Sequence, residues 1–306
     1  MKNAKYSGFI ATAIMLPLFA GEAYATVIVN YPDFSNTSGL TFQGSAGTAV
    51  TGDGTVLRIT PASGSQSGAA YSTSAITLGT SDTFSTTFQF RFTNPGGWDP
   101  ADGITFVLAA SPTGLGSGGV GMGYAGVNNS VAIEFDTYNN AGYGLGNNDG
   151  NSSNHVSIDT NGILTNADIT NVYGNGSCGF PSGGNPNQNS YTANGCMSNG
   201  DLWTVTIGYD GSDLSVSLLD PAIGTVFDAI SNYAINISSL LGTNQAYVGF
   251  TAGTGAGWEN HDVVNWQFAD TTQLANGGGT VPEPATVGLL SLGLAGIGVT
   301  RKRVAK

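Results

Sequence analysis

Apolar residues recur at every second position along most of the chain. Phe88, Phe90 and Phe92 alternate with polar neighbours; Val131, Ile133 and Phe135 alternate with Ala132, Glu134 and Asp136, and Val156 and Ile158 with Ser157 and Asp159. Trp203, Val205, Ile207 and Tyr209 form another such run, and Leu214, Val216 and Leu218 follow after a turn containing Gly211. A period of two marks strands with one face in a core. No stretch of useful length carries the 3.6-residue period of an amphipathic helix. Runs rich in Gly, Asn and Ser separate the strands, and glycine reaches 47 of 306 residues. The pattern predicts an all-β sandwich, and sandwiches of this size commonly form one domain. That domain is placed at residues 26–269, its last two strands at 247–252 and 261–268 flanking a loop at 253–260.

The polar positions of these strands carry the candidate chemistry. In Val131–Asp136 the period of two sends Glu134 and Asp136 to one face. The stretch His155–Asp159 alternates as well, with His155 on its polar face. If the two strands pair, Glu134, Asp136 and His155 converge beside a Gly/Asn-rich loop. Two carboxylates and an imidazole suit a transition metal, whereas carboxylates with a backbone carbonyl and an amide oxygen suit calcium. The alternative is a hairpin with a solvated polar face. Gly114, Gly116 and Gly119 match G-x-G-x-x-G, but a strand follows instead of the helix that a nucleotide site needs.

The series Glu134-Phe135-Asp136-Thr137-Tyr138-Asn139-Asn140, then Asp149, then His155-Val156-Ser157-Ile158-Asp159 resembles the metal loop of the legume-type (L-type) lectins. Ala101-Asp102-Gly103-Ile104-Thr105-Phe106 and the pair of segments Val248-Gly249-Phe250-Thr251-Ala252 and His261-Asp262-Val263-Val264-Asn265-Trp266-Gln267-Phe268 are similar to other motifs of that family. The resemblance implies a concanavalin A-like jelly-roll sandwich of antiparallel sheets. It also implies Ca2+ held by Asp136, the Tyr138 carbonyl, Asn140 and Asp149, and Mn2+ or another transition metal held by Glu134, Asp136, Asp149 and His155. Carbohydrate would meet Asp102 after a cis peptide, Asn140, the Tyr138 ring and the backbone N–H of Gly119. The sequence departs from the family pattern in a longer stretch at 141–148 and one extra residue between Asp149 and His155. Asn147, Asn148, Asn151 and Asn154 are therefore alternatives to Asp149. His261 reads as a hydrogen-bond partner at the start of a strand. The implied function is non-catalytic glycan binding. The second glutamate that glucanases of this superfamily carry is missing, since Tyr138 and Asn139 stand where it would fall. A matrix protein that keeps the fold without binding sugar is the other reading.

Charge and the chain ends narrow the partners. Six of the eight basic residues are Lys2, Lys5, Arg301, Lys302, Arg303 and Lys306, leaving Arg58 and Arg91 in the body. Of 20 acidic residues only Glu22 and Glu283 lie in the two terminal segments, 1–25 and 281–306. Such a body repels phosphate backbones, which argues against a nucleic-acid partner. Residues 1–25 read as a secretory signal peptide, with a basic start, an apolar run and Ala23-Tyr24-Ala25 at its end. In an exported chain the two cysteines, Cys178 and Cys196, are expected to form a disulfide, with free thiols or a metal pair as alternatives. Residues 270–280 read as a linker. Val281-Pro282-Glu283-Pro284, an apolar run and Arg301-Lys302-Arg303 resemble the bacterial PEP-CTERM sorting signal. That resemblance implies processing by an exosortase-type enzyme, transient membrane anchoring at 281–306, and a cell-surface or matrix setting where glycans or exopolysaccharide are the ligand. A permanent membrane helix is the alternative.

Overall fold

The computed structural model describes residues 27–78, 82–141, 149–180 and 189–272. The segments assigned above as signal peptide and sorting segment, nearly all of the linker, and Asn147 and Asn148 lie outside them. In chain order the strands are β1 (Val27–Tyr31), β2 (Leu40–Gly44), β3 (Gly47–Thr51), β4 (Gly54–Thr60), β5 (Ser67–Ser72), β6 (Ile76–Thr77), β7 (Phe84–Gly97), β8 (Gly103–Ala109) and β9 (Ser130–Asp136). They continue as β10 (His155–Thr160), β11 (Ile163–Asn171), β12 (Cys178–Gly179), β13 (Asn189–Ser190), β14 (Trp203–Tyr209), β15 (Asp213–Leu219), β16 (Phe227–Ala234), β17 (Gln245–Gly253) and β18 (Gly257–Ala269). Among the described residues one short α-helix, α1 (Ile237–Leu241), interrupts them.

Two antiparallel sheets stack. The first runs β16-β15-β14-β7-β18-β4-β3 with β1 on β18, and the second β11-β10-β9-β8-β17-β5-β2 with β6 on β17. Their facing sides hold the alternating apolar residues read from the sequence. Phe88 of the first sheet meets Phe250 of the second edge-on at 4.9 Å, and Phe250 meets Trp266 at 5.1 Å. The Trp266 indole N–H donates to Thr86 Oγ1 at 2.9 Å, so the one polar atom of that ring is satisfied in the core. Truncating Phe88 to alanine would cost about 3–5 kcal/mol, since all of its ring is buried.

The second sheet is covered on both faces. All seven residues of β8 and all seven of β9 are buried, so their polar positions do not face solvent. The Gly-rich segment at 114–127 folds over the outer face, where Met122, Tyr124 and Val127 pack on Tyr71, Val107, Ala132 and Leu164. Gly116 shows why glycine is dense there: a Cβ would collide with the Ala125 carbonyl. The two final strands extend further than their sequence suggested. β17 pairs Gly253 with Gly103, and β18 begins by pairing Gly257 with Gly97, which leaves only residues 254–256 as the connecting turn.

Candidate metal and carbohydrate site

The site lies at one end of β8, β9, β10 and β17. Register builds it: β9 and β10 place Asp136 opposite His155 and Glu134 opposite Ser157, while β8 places Gly103 opposite Asp136. Glu134, Asp136 and His155 each offer a ligand atom within 4.8 Å of the others, and all three are buried. His155 Nε2 lies 3.0 Å from Glu134 Oε1, and Ser157 Oγ donates to the same oxygen at 2.6 Å. Asp136 Oδ1 accepts the Tyr138 N–H at 2.6 Å, which turns the chain at the end of β9. Asp149 Oδ2 accepts the Asn140 N–H, and Asp149 Oδ1 accepts Asn166 Nδ2 at 2.9 Å.

These carboxylates share a desolvated space, and the lysine and arginine side chains among the described residues, Arg58 and Arg91, are bonded elsewhere, to Asp262 and Asp53. Burial pushes Glu134 up to about 7, and the neighbouring Asp149 charge adds to it, against hydrogen bonds from Asp159 and Ser157. Burial also raises Asp136 well above the usual carboxylate range, reinforced by Asp149 and Glu134. Asp149 is raised by burial against the Asn140 N–H, and His155 is lowered by burial despite the Asp149 charge. Asp159, which the sequence placed in the motif without a role, is fully buried and bonded to Glu134; burial and the Glu134 charge raise it well above normal. Such a cluster must hold protons at neutral pH or take up a cation. The donor set fits metal. Glu134 Oε2 and Asn140 Oδ1 are buried with no hydrogen-bond partner, and carboxylates, an amide oxygen and an imidazole are hard-cation and transition-metal ligands. Of the alternatives to Asp149, Asn154 is committed elsewhere. Its Nδ2 donates to the carbonyls of Asn175 and Gly195, and its Oδ1 accepts the Met197 N–H. Asn151 is exposed.

Beside this cluster, Asp102 lies at a cleft of about 160 Å³ lined by Trp98, Gly119, Tyr138, Asn140 and Gly255. The Ala101–Asp102 peptide is cis. Asp102 is 3% exposed and its Oδ2 lacks a partner. Burial pushes its carboxyl up to about 7, opposed first by the Asn140 side chain. Gly119 lines the cleft, and its N–H donates to the Thr254 carbonyl at 3.0 Å. Its φ of 58° gives the reason for glycine there. Trp98, 68% exposed at the rim, was missed by the sequence reading, although an aromatic next to Asp99-Pro100 was a visible signal.

At this end Glu259 of β18 ties the first sheet to the residue that follows β9 of the second. Glu259 accepts Thr137 Oγ1 at 2.8 Å and Ser198 Oγ at 3.0 Å, and its Oε1 lies 3.6 Å from His261 Nε2. His261 Nδ1 bonds Thr60 Oγ1 at 2.6 Å, inside β18 instead of at its start. Cys178 and Cys196 form a disulfide with Cα atoms 5.9 Å apart.

A two-sheet sandwich with a buried carboxylate–histidine cluster beneath a sugar-sized cleft defines the class of the L-type lectins. The family model described as the legume lectin domain matches residues 27–281, and this chain belongs to that family. A PEP-CTERM protein-sorting motif matches residues 280–303. The chain is 31% identical over 230 residues to the lectin alpha chain of Lablab purpureus, a match spanning 70% of each chain. It is 30% identical over 206 residues to a lectin-related protein of Cladrastis kentukea, spanning 64% of this chain and 59% of that one. Among solved structures, the fold is similar to lectin II from Ulex europaeus, with a TM-score of 0.59 and 25% identity over 79% of this chain and 97% of that one. It is also similar to the lectin from Bauhinia forficata in complex with GalNAc, with a TM-score of 0.59 and 22% identity over 80% and 98% of the two chains.

Proposed function

We propose that the protein is an exported, metal-dependent carbohydrate-binding protein that breaks no bond in its ligand. The observation that carries this reading is Asp102, a buried carboxylate with an unpartnered oxygen at a cleft whose wall is the metal loop. A carboxylate so placed accepts sugar hydroxyls through charge-assisted bonds worth about 1.5–3 kcal/mol each. Asn140 supplies an amide to the same sugar, and the Tyr138 ring covers its apolar face. The names of the relatives, most of them lectins, support the class of ligand.

Ca2+ would be held by Asp136, the Tyr138 carbonyl, Asn140 and Asp149, and Mn2+ or a similar ion by Glu134, Asp136, Asp149 and His155. Bound cations neutralise the buried carboxylates and fix the loop that carries Tyr138 and Asn140. Glu134 and Asp136 are each 1% exposed, which puts them out of reach of a glycosidic bond and supports a non-catalytic role. The sorting motif supports export and delivery to a bacterial surface or matrix, with an exosortase-type enzyme acting on a transiently anchored C-terminus. There the ligand would be a surface glycan or exopolysaccharide.

A glycan array with the full chain, loaded with Ca2+ and Mn2+ and then stripped with EDTA, tests the reading. Binding that disappears on stripping and returns with metal is expected. Metal-loaded protein that binds no glycan would leave the matrix-protein reading in its place.

A further inference from the structure

Glu259 is fully buried in β18, and neither the metal sets nor the sugar contacts give it a role. It stands opposite an irregularity in the first sheet. β18 pairs Trp258 with Gly96 and Asn260 with Thr93, so Asn94 and Pro95 of β7 both lie across from the single residue Glu259. Pro95 has no N–H to give the ladder, and Asn94 takes a φ of 57°. A bulge of this kind interrupts the pairing and re-aims side chains. The Glu259 side chain crosses to the second sheet, where its Oε1 accepts the Thr137 hydroxyl at 2.8 Å, one residue beyond β9. The same oxygen accepts Ser198 Oγ at 3.0 Å, from the turn that follows Cys196. We propose that Glu259 is a positioning residue for the metal loop, setting from the opposite sheet the point where β9 ends and the loop begins; this rests on the lectin reading above.

Thr137 is the lever. It lies between Asp136 and Tyr138, both in the proposed Ca2+ set, and its N–H donates to the Asp102 carbonyl at 3.0 Å. A main-chain rotation at Thr137 would shift the Asp136 carboxyl against the Tyr138 carbonyl and drag the Asp102 peptide with it. The bond to Glu259 holds Thr137 by its side chain as well, so the junction is set before a cation arrives. A preset junction lowers the ordering cost of binding. The anchor is itself fixed on the first sheet. Asn260, the next residue, accepts the Ala62 N–H at 2.7 Å and donates to Thr93 Oγ1 at 3.1 Å. Beyond it, His261 Nδ1 bonds Thr60 Oγ1 at 2.6 Å. Thr137 is buried, so without the Glu259 acceptor its hydroxyl would be left unsatisfied, which costs more than the bond contributes. A plain tie between sheets would act on stability alone, whereas a positioning residue also acts on the loop's order and its cation affinity.

Hydrogen exchange on the full, EDTA-stripped chain and calorimetry of the same chain with Ca2+ test this. Thr137→Val keeps the shape and removes the hydroxyl, and Glu259→Met removes the acceptor at similar volume. Each is expected to speed amide exchange across residues 135–140 and to weaken Ca2+ binding about tenfold. Thr137→Ser keeps the hydroxyl and is expected to restore parent exchange and parent Ca2+ affinity. Ser198→Ala takes the other hydroxyl from the same oxygen and is expected to leave both at parent values. Thr137→Val combined with Glu259→Met is expected to bind Ca2+ no more weakly than Glu259→Met alone, because both remove one bond. A lower Tm with parent-like exchange and Ca2+ affinity in Thr137→Val overturns the proposal and leaves Glu259 a tie between sheets. An equal loss in Ser198→Ala overturns it too, since the effect would then not run through Thr137. Should Glu259→Met not fold, Thr137→Val against Thr137→Ser still decides. A parent that binds no glycan while the variants behave as expected overturns the lectin reading and leaves the positioning role standing.

Discussion

The Thr137 N–H donates to the Asp102 carbonyl at 3.0 Å. By that bond the residue proposed to meet a sugar is joined, backbone to backbone, to the end of β9 that carries Asp136 and leads into Tyr138. The Asp102 N–H in turn donates to the Gly253 carbonyl at 3.1 Å, so β17 holds the other side of the same peptide. Asp102 is thus placed by its main chain, and its side chain is left for the cleft. Whatever orders the end of β9 therefore orders the main chain of Asp102 through one hydrogen bond.

Metal removal should therefore be felt in stability as well as in binding. A cation that binds only the folded chain at 100 times its Kd adds about 2.7 kcal/mol. Thermal melts with and without EDTA are expected to show a lower Tm for the stripped protein, and an unchanged melt would speak against the site. Glu134→Gln should weaken Mn2+ binding more than Ca2+ binding in competitive titrations, because Glu134 belongs only to the transition-metal set.

The raised carboxylates give the stripped and loaded proteins different pH profiles. Glu134 and Asp102 move from 4.5 and 3.8 to about 7 in the folded, metal-free chain, burial being the main cause for each. Between those limits the folded state keeps protons that the unfolded chain has released, so stability of the stripped protein falls as pH rises. Bound metal replaces those protons, so the Tm gap between loaded and stripped protein is expected to widen from about pH 5 to about pH 8. A gap that narrows over this range would contradict the metal assignment.

Much of this site was legible because it is local. Glu134, Asp136 and His155 meet through a period of two and a single hairpin, both of which the sequence displays. The burial of that polar face was not legible, because it depends on the segment at 114–127 folding back over β9. Glu259 lies 122 positions from the Thr137 hydroxyl it binds, and only the stacking of the two sheets brings them together. The turn at 254–256 was read as a longer loop since Gly253 and Gly257 break the apolar alternation, yet both pair closely with Gly103 and Gly97.

The disulfide is coupled to the metal loop more closely than its place in the sequence suggests. Asn154, next to His155, bonds the carbonyls of Asn175, three residues before Cys178, and of Gly195, the residue before Cys196. Replacing Cys178 and Cys196 by serine opens a closure of 18 residues, which should cost about 3 kcal/mol. The variant is also expected to bind Mn2+ more weakly, as read by titration at a temperature where it remains folded. Unaltered metal affinity would show that Asn154 holds His155 without help from the bridge.

Asp102 separates sugar binding from a purely structural role. Among the described residues Arg58 and Arg91 are bonded to Asp262 and Asp53, the Asp102 Oδ2 lacks a partner, and its main chain is bonded to Gly253 and Thr137 without help from the carboxylate. Removing the carboxylate should then leave the fold nearly untouched, and relieve a buried charge, while depriving a sugar of two charge-assisted bonds of about 1.5–3 kcal/mol each. Asp102→Ala is expected to melt at or slightly above the parent Tm in the stripped form and to bind no glycan detectably. Asp102→Asn is the sharper variant, because it keeps the shape and exchanges one acceptor for a donor. It is expected to retain both metals and lose most of the glycan affinity, measured by calorimetry against the parent's best array ligand. Parent-like binding by both variants would move the sugar site away from Asp102. Loss of metal in Asp102→Asn would mean that the carboxylate acts on the loop first and on the sugar only through it.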